Sequence, residues 1–425
     1  MSEFDKIIGY EDVKKELKLI CDTLKNPEKY KQPGKNRSGG LILSGRHGVG
    51  KTFMAECFIR ESGLPVFECN IIKRGEDVVK KIKSIFNEAV YHAPSIVFFD
   101  DIADEWKGKL SADEFSSLRS YIAETIEKQN VFVVATVTHL STVHMDIFNF
   151  ATELSIKRPE KRESDETVEY FLRRQKYAPD VNIDDIKGLH YLNYFADIEK
   201  TMNLASRYAI YENRDYINTE DIIRAYKRDC YVPSAPGIRC RVAYYTAGQA
   251  VVAEALNPGC VNFVSVLKYG SEEHYSNVVK CLHDPEDYYY SKEAMEKKII
   301  YLLGGRAATE VALGETDISG CHDILGIYKR VGKLMVEYYA YGFAYGAQDY
   351  NEKISDQMVA QREMRAAAEM EKYYAKAKSV IEENRSTLEA LVRRLQEKDV
   401  ILRSEFVEII NNNKGDIECE KKLLS

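Results

Sequence analysis

Apolar residues recur along this chain in two rhythms that take turns. Over residues 11–25, Val13, Leu17, Ile20, Cys21 and Leu24 fall at three- and four-residue spacing, which predicts an amphipathic helix. Short apolar runs at 41–44, 66–69, 96–99 and 131–135 alternate with helical patterns, the first of them over 53–60. Strand alternating with helix predicts a parallel sheet covered on both faces. Pro27, Pro33 and the Gly39-Gly40 pair break the chain just before the first of these strands. From about 164 to 228 the periodicity is helical, and 229–239, with Pro233, Pro236 and Gly237, reads as a linker. The remainder is mainly helical apart from 261–269. In 356–399, Met370, Tyr373, Ala377, Val380, Ile381, Leu388, Leu391 and Leu395 make one apolar stripe, which predicts packed core.

Between the first strand and its helix stands Gly45-Arg46-His47-Gly48-Val49-Gly50-Lys51-Thr52. A glycine loop in that setting is a phosphate cradle. Its backbone N–H groups converge on the phosphates, and the helix N-terminus adds its positive dipole end. Lys51 is placed to reach the β- and γ-phosphates, and Thr52 to offer a hydroxyl to Mg²⁺. The 96–99 run leads into Asp100-Asp101, acids at the strand end where the phosphate loop also lies. Asp100 is the natural partner for Mg²⁺, and Asp101 the candidate for orienting an attacking water. ATP and Mg²⁺ are the expected ligands.

Composition narrows the setting. With 425 residues there is room for about two or three domains at ~100–200 residues each. A net charge of −7, from 60 basic and 67 acidic residues, argues against nucleic acid as a partner. No apolar run approaches the ~18 residues of a membrane span, and MSEFDKIIGY lacks a signal-peptide core, so direct membrane insertion is not expected. Nine cysteines without a CxxC pair fit a reduced, cytoplasmic protein.

The segments Phe4-Asp5-Lys6-Ile7-Ile8-Gly9-Tyr10-Glu11-Asp12-Val13 and Leu24-Lys25-Asn26-Pro27-Glu28-Lys29-Tyr30, followed by the phosphate loop, resemble the AAA+ module of FtsH-type membrane proteases. The resemblance continues through Gly304-Gly305-Arg306-Ala307-Ala308, Gly314-Glu315, Asp323 and a last long helix through Ile381-Glu382-Glu383-Asn384-Arg385. That family joins an ATP-driven hexameric unfoldase to a zinc metallopeptidase, with a membrane anchor upstream. The resemblance implies an α/β AAA+ P-loop NTPase domain over 1–157, a helical lid over 158–228, a linker over 229–239, and a mainly α-helical peptidase-like domain over 240–425. It also implies a nucleotide-binding set of Ile8, Gly9, Gly45, His47, Gly48, Val49, Gly50, Lys51, Thr52, Phe53 and Asp100, with Mg²⁺ held through Thr52 and Asp100. A ring, hexameric or mixed with a related subunit, is the implied assembly, and protein clients its implied substrates.

Several positions depart from the family. Its HEAGH zinc motif aligns with Tyr245-Thr246-Ala247-Gly248-Gln249. Tyr245 and Gln249 stand in place of both histidine ligands and Thr246 in place of the general base, while the third ligand persists as Asp323. A catalytic zinc takes three protein ligands, so zinc and metallopeptidase activity are not expected. Cys240, Cys321 and His322 could rebuild a site with Asp323 only if the fold gathered them. Asp101 replaces the family's glutamate and is one methylene shorter; misplacement of about 1 Å can cost ~10²-fold. Ala135-Thr136-Val137 lacks the family's phosphate-sensing asparagine, leaving Thr138 as the alternative. Phe148-Asn149-Phe150-Ala151-Thr152 carries no arginine finger, a group worth ~10³–10⁵ in turnover. The pore loop at 70–76 has no aromatic residue, and Phe195 stands near a lid glycine, to crowd the nucleotide or stack on it. Three readings remain: a nucleotide-binding pseudoenzyme acting through assembly, an ATP-driven unfoldase without proteolysis, and, least favoured, an active ATP-dependent zinc protease.

Overall fold

The computed structural model describes the chain apart from residues 1, 31–38, 70–77, 102–110, 139–150, 191–192, 229, 233–234, 270–290, 315–320, 337–339, 343–354 and 424–425. The pore-loop segment and Phe148-Asn149-Phe150 lie outside the described residues. Two compact units result: Met1–Phe171 with Leu192–Lys200, and Leu172–Tyr191 with Thr201–Ser425. The 158–228 stretch is thus divided between them.

In the first unit, β1 (Gly40–Ser44), β2 (Val66–Glu68), β3 (Ser95–Phe99), β4 (Val131–Val137) and β5 (Ala151–Ser155) form a parallel sheet in the order β2-β3-β4-β1-β5. Strand pleating sends alternate side chains to opposite faces. Ile42, Val97, Phe99, Val133 and Ala135 join one core with Ile82 and Phe86 of the helix α3 (Val78–Tyr91) and Leu118 and Ile122 of α4 (Ala112–Gln129). Leu41, Leu43, Ile96, Phe98, Phe132 and Val134 join the other with Leu17 of α1 (Glu11–Lys25) and Met54 and Phe58 of α2 (Lys51–Ser62). Apolar character on both faces is what made these strands read as continuous apolar runs. The edge strand β5 gave no such run. Its sequence ATELS carries polar residues at three of five positions, and Glu153 accepts a 2.8 Å hydrogen bond from the Ser44 hydroxyl.

The second unit is mainly helical. Pro236 occupies the first turn of the helix Pro236–Leu256, so that helix begins inside the segment expected as a linker; proline is favoured there because its missing N–H is an orphan anyway. Antiparallel pairs β6 (Cys230–Tyr231) with β8 (Lys268–Tyr269), and β7 (Phe263–Ser265) with β9 (Val400–Leu402), complete it. The predicted stripe is core: Tyr373, Ala377, Ile381, Leu388, Leu391 and Leu395 are buried, with Met370 and Val380 packed against them. One expectation is corrected. The helix through Ile381 is not the last, because the chain breaks at Asn384 and continues into Arg385–Glu397, β9 and a helix over Arg403–Leu423. Asn384 has φ −117° and ψ 30°, and its amide donates to the Val380 carbonyl at 2.8 Å, competing with helical propagation. The abundant tyrosines also find a use, since Tyr244 donates to Glu389 (2.7 Å), Tyr373 to Glu296 (2.9 Å) and Tyr374 to Glu310. Burial and the neighbouring Glu389 push the Tyr244 phenol up to about 12, which keeps it a donor.

Candidate functional site

The phosphate loop lies on the C-terminal edge of β1, between β4 and β5. Gly45 N–H donates to the Val137 carbonyl at 3.1 Å, tying the loop to β4. Gly45 has φ +151°, and a Cβ there would lie 2.4 Å from the Ile156 carbonyl oxygen. Gly48 and Gly50 have φ of 82° and 94°, left-handed conformations that glycine adopts without cost. Gly50 is the N-cap of α2, and its carbonyl receives Met54 N–H at 2.9 Å. Tyr194 and Ala196 wall the loop at Gly48; their Cβ atoms stand 3.1 and 3.4 Å from where a Cβ on Gly48 would be.

Within this frame Lys51 is only 7% exposed, and its ammonium donates to the Arg46 carbonyl at 3.0 Å. Burial pulls its pKa below the ordinary lysine value, opposed by the charges of Asp101 and Asp100. A partly desolvated cation beside a ring of backbone donors suits phosphate oxygens, whose charge offsets that cost. Val49 contributes only backbone to the loop, since its side chain is wholly buried in the core. Phe53 is 44% exposed on the first turn of α2. Ile8 is half-buried, and Gly9 has φ +63°. The next ring, Tyr10, meets Phe195 edge-on with centroids 5.5 Å apart, and Phe195 reaches within 3.9 Å of a Cβ position on Gly50. Two rings, Tyr10 and Phe195, therefore lead from the residue after Ile8-Gly9 to the phosphate loop.

Two hydroxyl relays cross the strand ends. Thr52 Oγ1 donates to Asp100 Oδ1 at 2.9 Å, and Thr136 Oγ1 donates to the same oxygen at 2.7 Å while accepting Asp101 N–H at 2.7 Å. The second joins Thr138 Oγ1 to Asp101 Oδ1 (3.1 Å) and to His47 Nε2 (3.3 Å). Thr52 and Asp100, the pair expected to hold Mg²⁺, are thus in contact. Thr136 was missed as their partner, although a polar residue inside the run VFVVATV was the available signal.

The peptidase-like centre is built differently. Tyr245, Thr246 and Gln249 lie on Pro236–Leu256, which packs on Lys292–Leu313 where Gly248 meets Gly304. Tyr245 is 7% exposed, and its ring occupies the space beside Gly305, where a Cβ would fall 2.8 Å from three ring carbons. The fully buried Thr246 returns its hydroxyl to its own helix, at Val242 O (3.0 Å) and Ala243 O (3.3 Å). Gln249 Nε2 donates to Leu302 O at 3.4 Å. All three side chains are engaged in packing or backbone bonding, and none supplies the imidazole or thiolate donors of a zinc site. Asp323 lies on Cys321–Val336 with its side chain outside the described residues, as do those of Cys321 and His322. Among the described residues no three His, Cys, Asp or Glu side chains gather in a metal-holding cluster, and no helix is long and apolar enough to cross a membrane.

A parallel sheet carrying a phosphate loop defines a nucleotide-binding ATPase module, which a mainly helical unit follows. Residues 41–157 match the ATPase family associated with various cellular activities (AAA), and residues 237–409 match peptidase family M41. The chain is 25% identical over 460 aligned positions to ATP-dependent zinc metalloprotease FtsH 1 of Thermoanaerobacter sp. (strain X514), covering 98% of this chain and 73% of that protein. It is 26% identical to ATP-dependent zinc metalloprotease FtsH of Thermotoga maritima, covering 96% and 73%, and 26% identical to that of Mycoplasma pneumoniae, covering 95% and 61%. The chain belongs to the FtsH-type family, and its AAA module implies ATP with Mg²⁺ as ligand.

Proposed function

We propose that this chain is an ATP–Mg²⁺-binding FtsH-type pseudoenzyme, acting through nucleotide-dependent assembly into a hexameric or mixed ring, without peptidase chemistry of its own. One contrast carries this reading. The phosphate loop keeps its glycine geometry, its buried Lys51 and the Thr52–Asp100 contact, whereas Tyr245, Thr246 and Gln249 are committed to packing and backbone bonds. The nucleotide phosphates would be held by the Gly48–Lys51 backbone and the Lys51 ammonium. When bound, Mg²⁺ neutralises charge on the terminal phosphates. Asp101 is short for orienting water and is tied to Thr138, which supports slow turnover or none. The six described cysteines are free thiols, in keeping with a reducing cytoplasmic setting.

Calorimetry with ATP–Mg²⁺ and steady-state phosphate release on pure protein test the reading together. Binding is expected for the wild type, with a loss of at least about 10²-fold in Lys51→Ala, whose charge on the phosphates is gone. Unchanged affinity in that variant refutes the phosphate-loop reading. The intact Thr52–Asp100 pair favours one second reading, an ATP-driven unfoldase in a mixed ring whose neighbours supply arginines; turnover above about 1 s⁻¹ supports it. Chelator-sensitive cleavage of casein overturns the pseudoprotease.

A further inference from the structure

In the second unit, the corner over 399–404 comprises Asp399, β9 and the first two residues of the helix Arg403–Leu423. Each of its ends is gripped twice. Asp399 takes Lys227, the last residue of the helix Thr219–Lys227, and also Arg239 of Pro236–Leu256 at 2.7 Å. At the other end Arg403 reaches Glu254 of Pro236–Leu256 at 3.2 Å. Beside it the Ser404 N–H, at 2.8 Å, and the Ser404 hydroxyl both donate to the carboxylate of Asp185. Asp185 lies on the helix Ile183–Leu189 and is 4% exposed. Among the described residues no Lys, Arg or His pairs with it. Its buried charge is met instead by Ser404 and by the positive dipole end of the helix that Ser404 opens. Each end of the corner thus has one partner from the chain before 229–239 and one from the chain after it. Between the ends the contacts are apolar and aromatic. Val400, Ile401 and Leu402 are buried, and β9 pairs with β7. Tyr226 meets the His190 ring edge-on at 5.7 Å and the ring of Phe263, on β7, at 6.2 Å. A Cβ on Gly188 would lie 3.2 Å from the Asn262 carbonyl oxygen, so the helix backbone lies close to the chain entering β7.

We propose that Asp185 and Lys227 form a two-point clasp on the 399–404 corner, seating the helices Ile183–Leu189 and Thr219–Lys227 on the peptidase-like unit as one cooperative block. The peptidase-like unit then has a use that needs neither zinc nor peptide-bond chemistry. It is the seat of two helices from the stretch expected as a lid, and the 399–404 corner is where they engage it. The clasp stands apart from the phosphate-loop reading and requires no nucleotide. Cooperativity follows from how the two grips are joined. His190 ends the first helix and Tyr226 lies in the second, so the ring contact between them couples Asp185 to Lys227. Withdrawing the first helix frees the Ser404 N–H and takes the His190 ring from Tyr226, which unseats the second helix from β7. Withdrawing the second removes Lys227 from Asp399 and bares the same ring contact from the other side. Neither helix leaves alone without breaking contacts of the other, which is the condition for a single sub-global opening.

The test is native-state hydrogen exchange of the whole chain, read by mass spectrometry over 183–190, 219–227 and 399–406. Wild type is compared with Asp185→Ala, Lys227→Ala and Ser404→Thr. In wild type the three segments should exchange through one opening, at rates within about threefold of one another once intrinsic rates are divided out. Asp185→Ala should speed all three by about tenfold or more, the scale of a hydrogen bond to a charged group. The informative segment there is 219–227, which makes no hydrogen bond to Asp185. Lys227→Ala should speed 183–190 as well as its own helix, by about threefold or more. Its side chain is 32% exposed, so this variant carries the test where Asp185→Ala fails to fold. Ser404→Thr keeps both the N–H and the hydroxyl and should stay within about twofold of wild type, as should β1, β3 and β4 in every variant. The clasp is overturned if each substitution speeds exchange only beside itself, or if neither alanine variant moves any of the three segments. Acceleration of β1, β3 and β4 in parallel also overturns it, because the loss is then global and no separate block exists.

Discussion

Replacing Gly305 with alanine sets one methyl group against the ring of Tyr245. The new Cβ would lie 2.8 Å from each of Cγ, Cδ2 and Cε2, well inside ordinary carbon contact. Neither partner can retreat easily. Tyr245 is 7% exposed, and its helix is held at the crossing, where a Cβ on Gly248 would already stand 2.5 Å from the Gly304 carbonyl oxygen. Overpacking of this kind costs about 1–3 kcal/mol, against about 1 kcal/mol returned by alanine's better helix propensity. Gly305→Ala should therefore destabilise by about 0–2 kcal/mol. In a Tyr245→Ala background the ring is gone, and the same substitution should stabilise by about 1 kcal/mol. The coupling across the cycle is then about 1–3 kcal/mol, typical of residues in direct contact. Urea unfolding of the four proteins, followed by circular dichroism and compared at equal slope, measures it. Coupling below about 0.3 kcal/mol refutes the idea that Tyr245 is locked in a packing role.

Other consequences concern charge and reach. Asp399 receives Lys227 and also Arg239, at 2.7 Å, while Arg239 bonds the Leu395 carbonyl at 2.8 Å. Burial raises the Asp399 pKa, but the hydrogen bonds and charges of Lys227 and Arg239 outweigh it and leave it below the ordinary value. A lowered folded-state pKa gives stability that is present above about pH 4 and lost as pH falls through the folded value. Asp399→Asn should cost about 1–3 kcal/mol at pH 7 and progressively less in acid; thermal melts from pH 7 to pH 2.5 with a constant difference refute this. Thr246→Glu places a carboxyl at a fully buried position and should cost about 2–4 kcal/mol at pH 7. Because burial raises that carboxyl's pKa, the loss grows as pH rises above about 4; an unchanged urea midpoint at pH 7 shows that the site admits the charge. Asp101→Glu should raise phosphate release if reach limits it, and an unchanged rate locates the slow step elsewhere.

Much of this architecture was legible because its causes are local. The three buried strands β1, β3 and β4 read as apolar runs because both sheet faces are covered, and the 11–25 helix has its observed ends where its regular stripe begins and stops. The strand β5 was not legible, since an edge strand with Glu153 and Ser155 outward has neither a continuous run nor a clean alternation. In the site, Lys51, Thr52 and Asp100 were legible because the motif prescribes their spacing. Thr136 and the His47–Thr138 contact were not, because residues from separate strands meet only once the sheet order is known. The break at Asn384 also escaped, as an apolar stripe can continue in phase across two helices that share one core.

On the proposed pseudoenzyme reading, the contrast between the two centres follows from how each is made. A phosphate cradle is chiefly backbone, and the requirement for its glycines is steric: a Cβ at Gly45 meets a carbonyl oxygen at 2.4 Å, and Gly48 and Gly50 occupy the left-handed region. Drift in surrounding side chains leaves that geometry alone. A zinc centre depends on individual side chains, and the three positions on Pro236–Leu256 that depart from the motif, two at ligand places and one at the base, each have another task. Tyr245 fills the space over Gly305, Thr246 bonds back to its own helix, and Gln249 bonds Leu302. Restoring histidines and glutamate would therefore open a void beside Gly305, bury a carboxylate where a satisfied hydroxyl now sits, and strip Leu302 of a partner, before any metal could offset those losses. On the same reading, peptidase chemistry at this helix requires undoing a packed interface, which is a larger change than exchanging two ligands and a base.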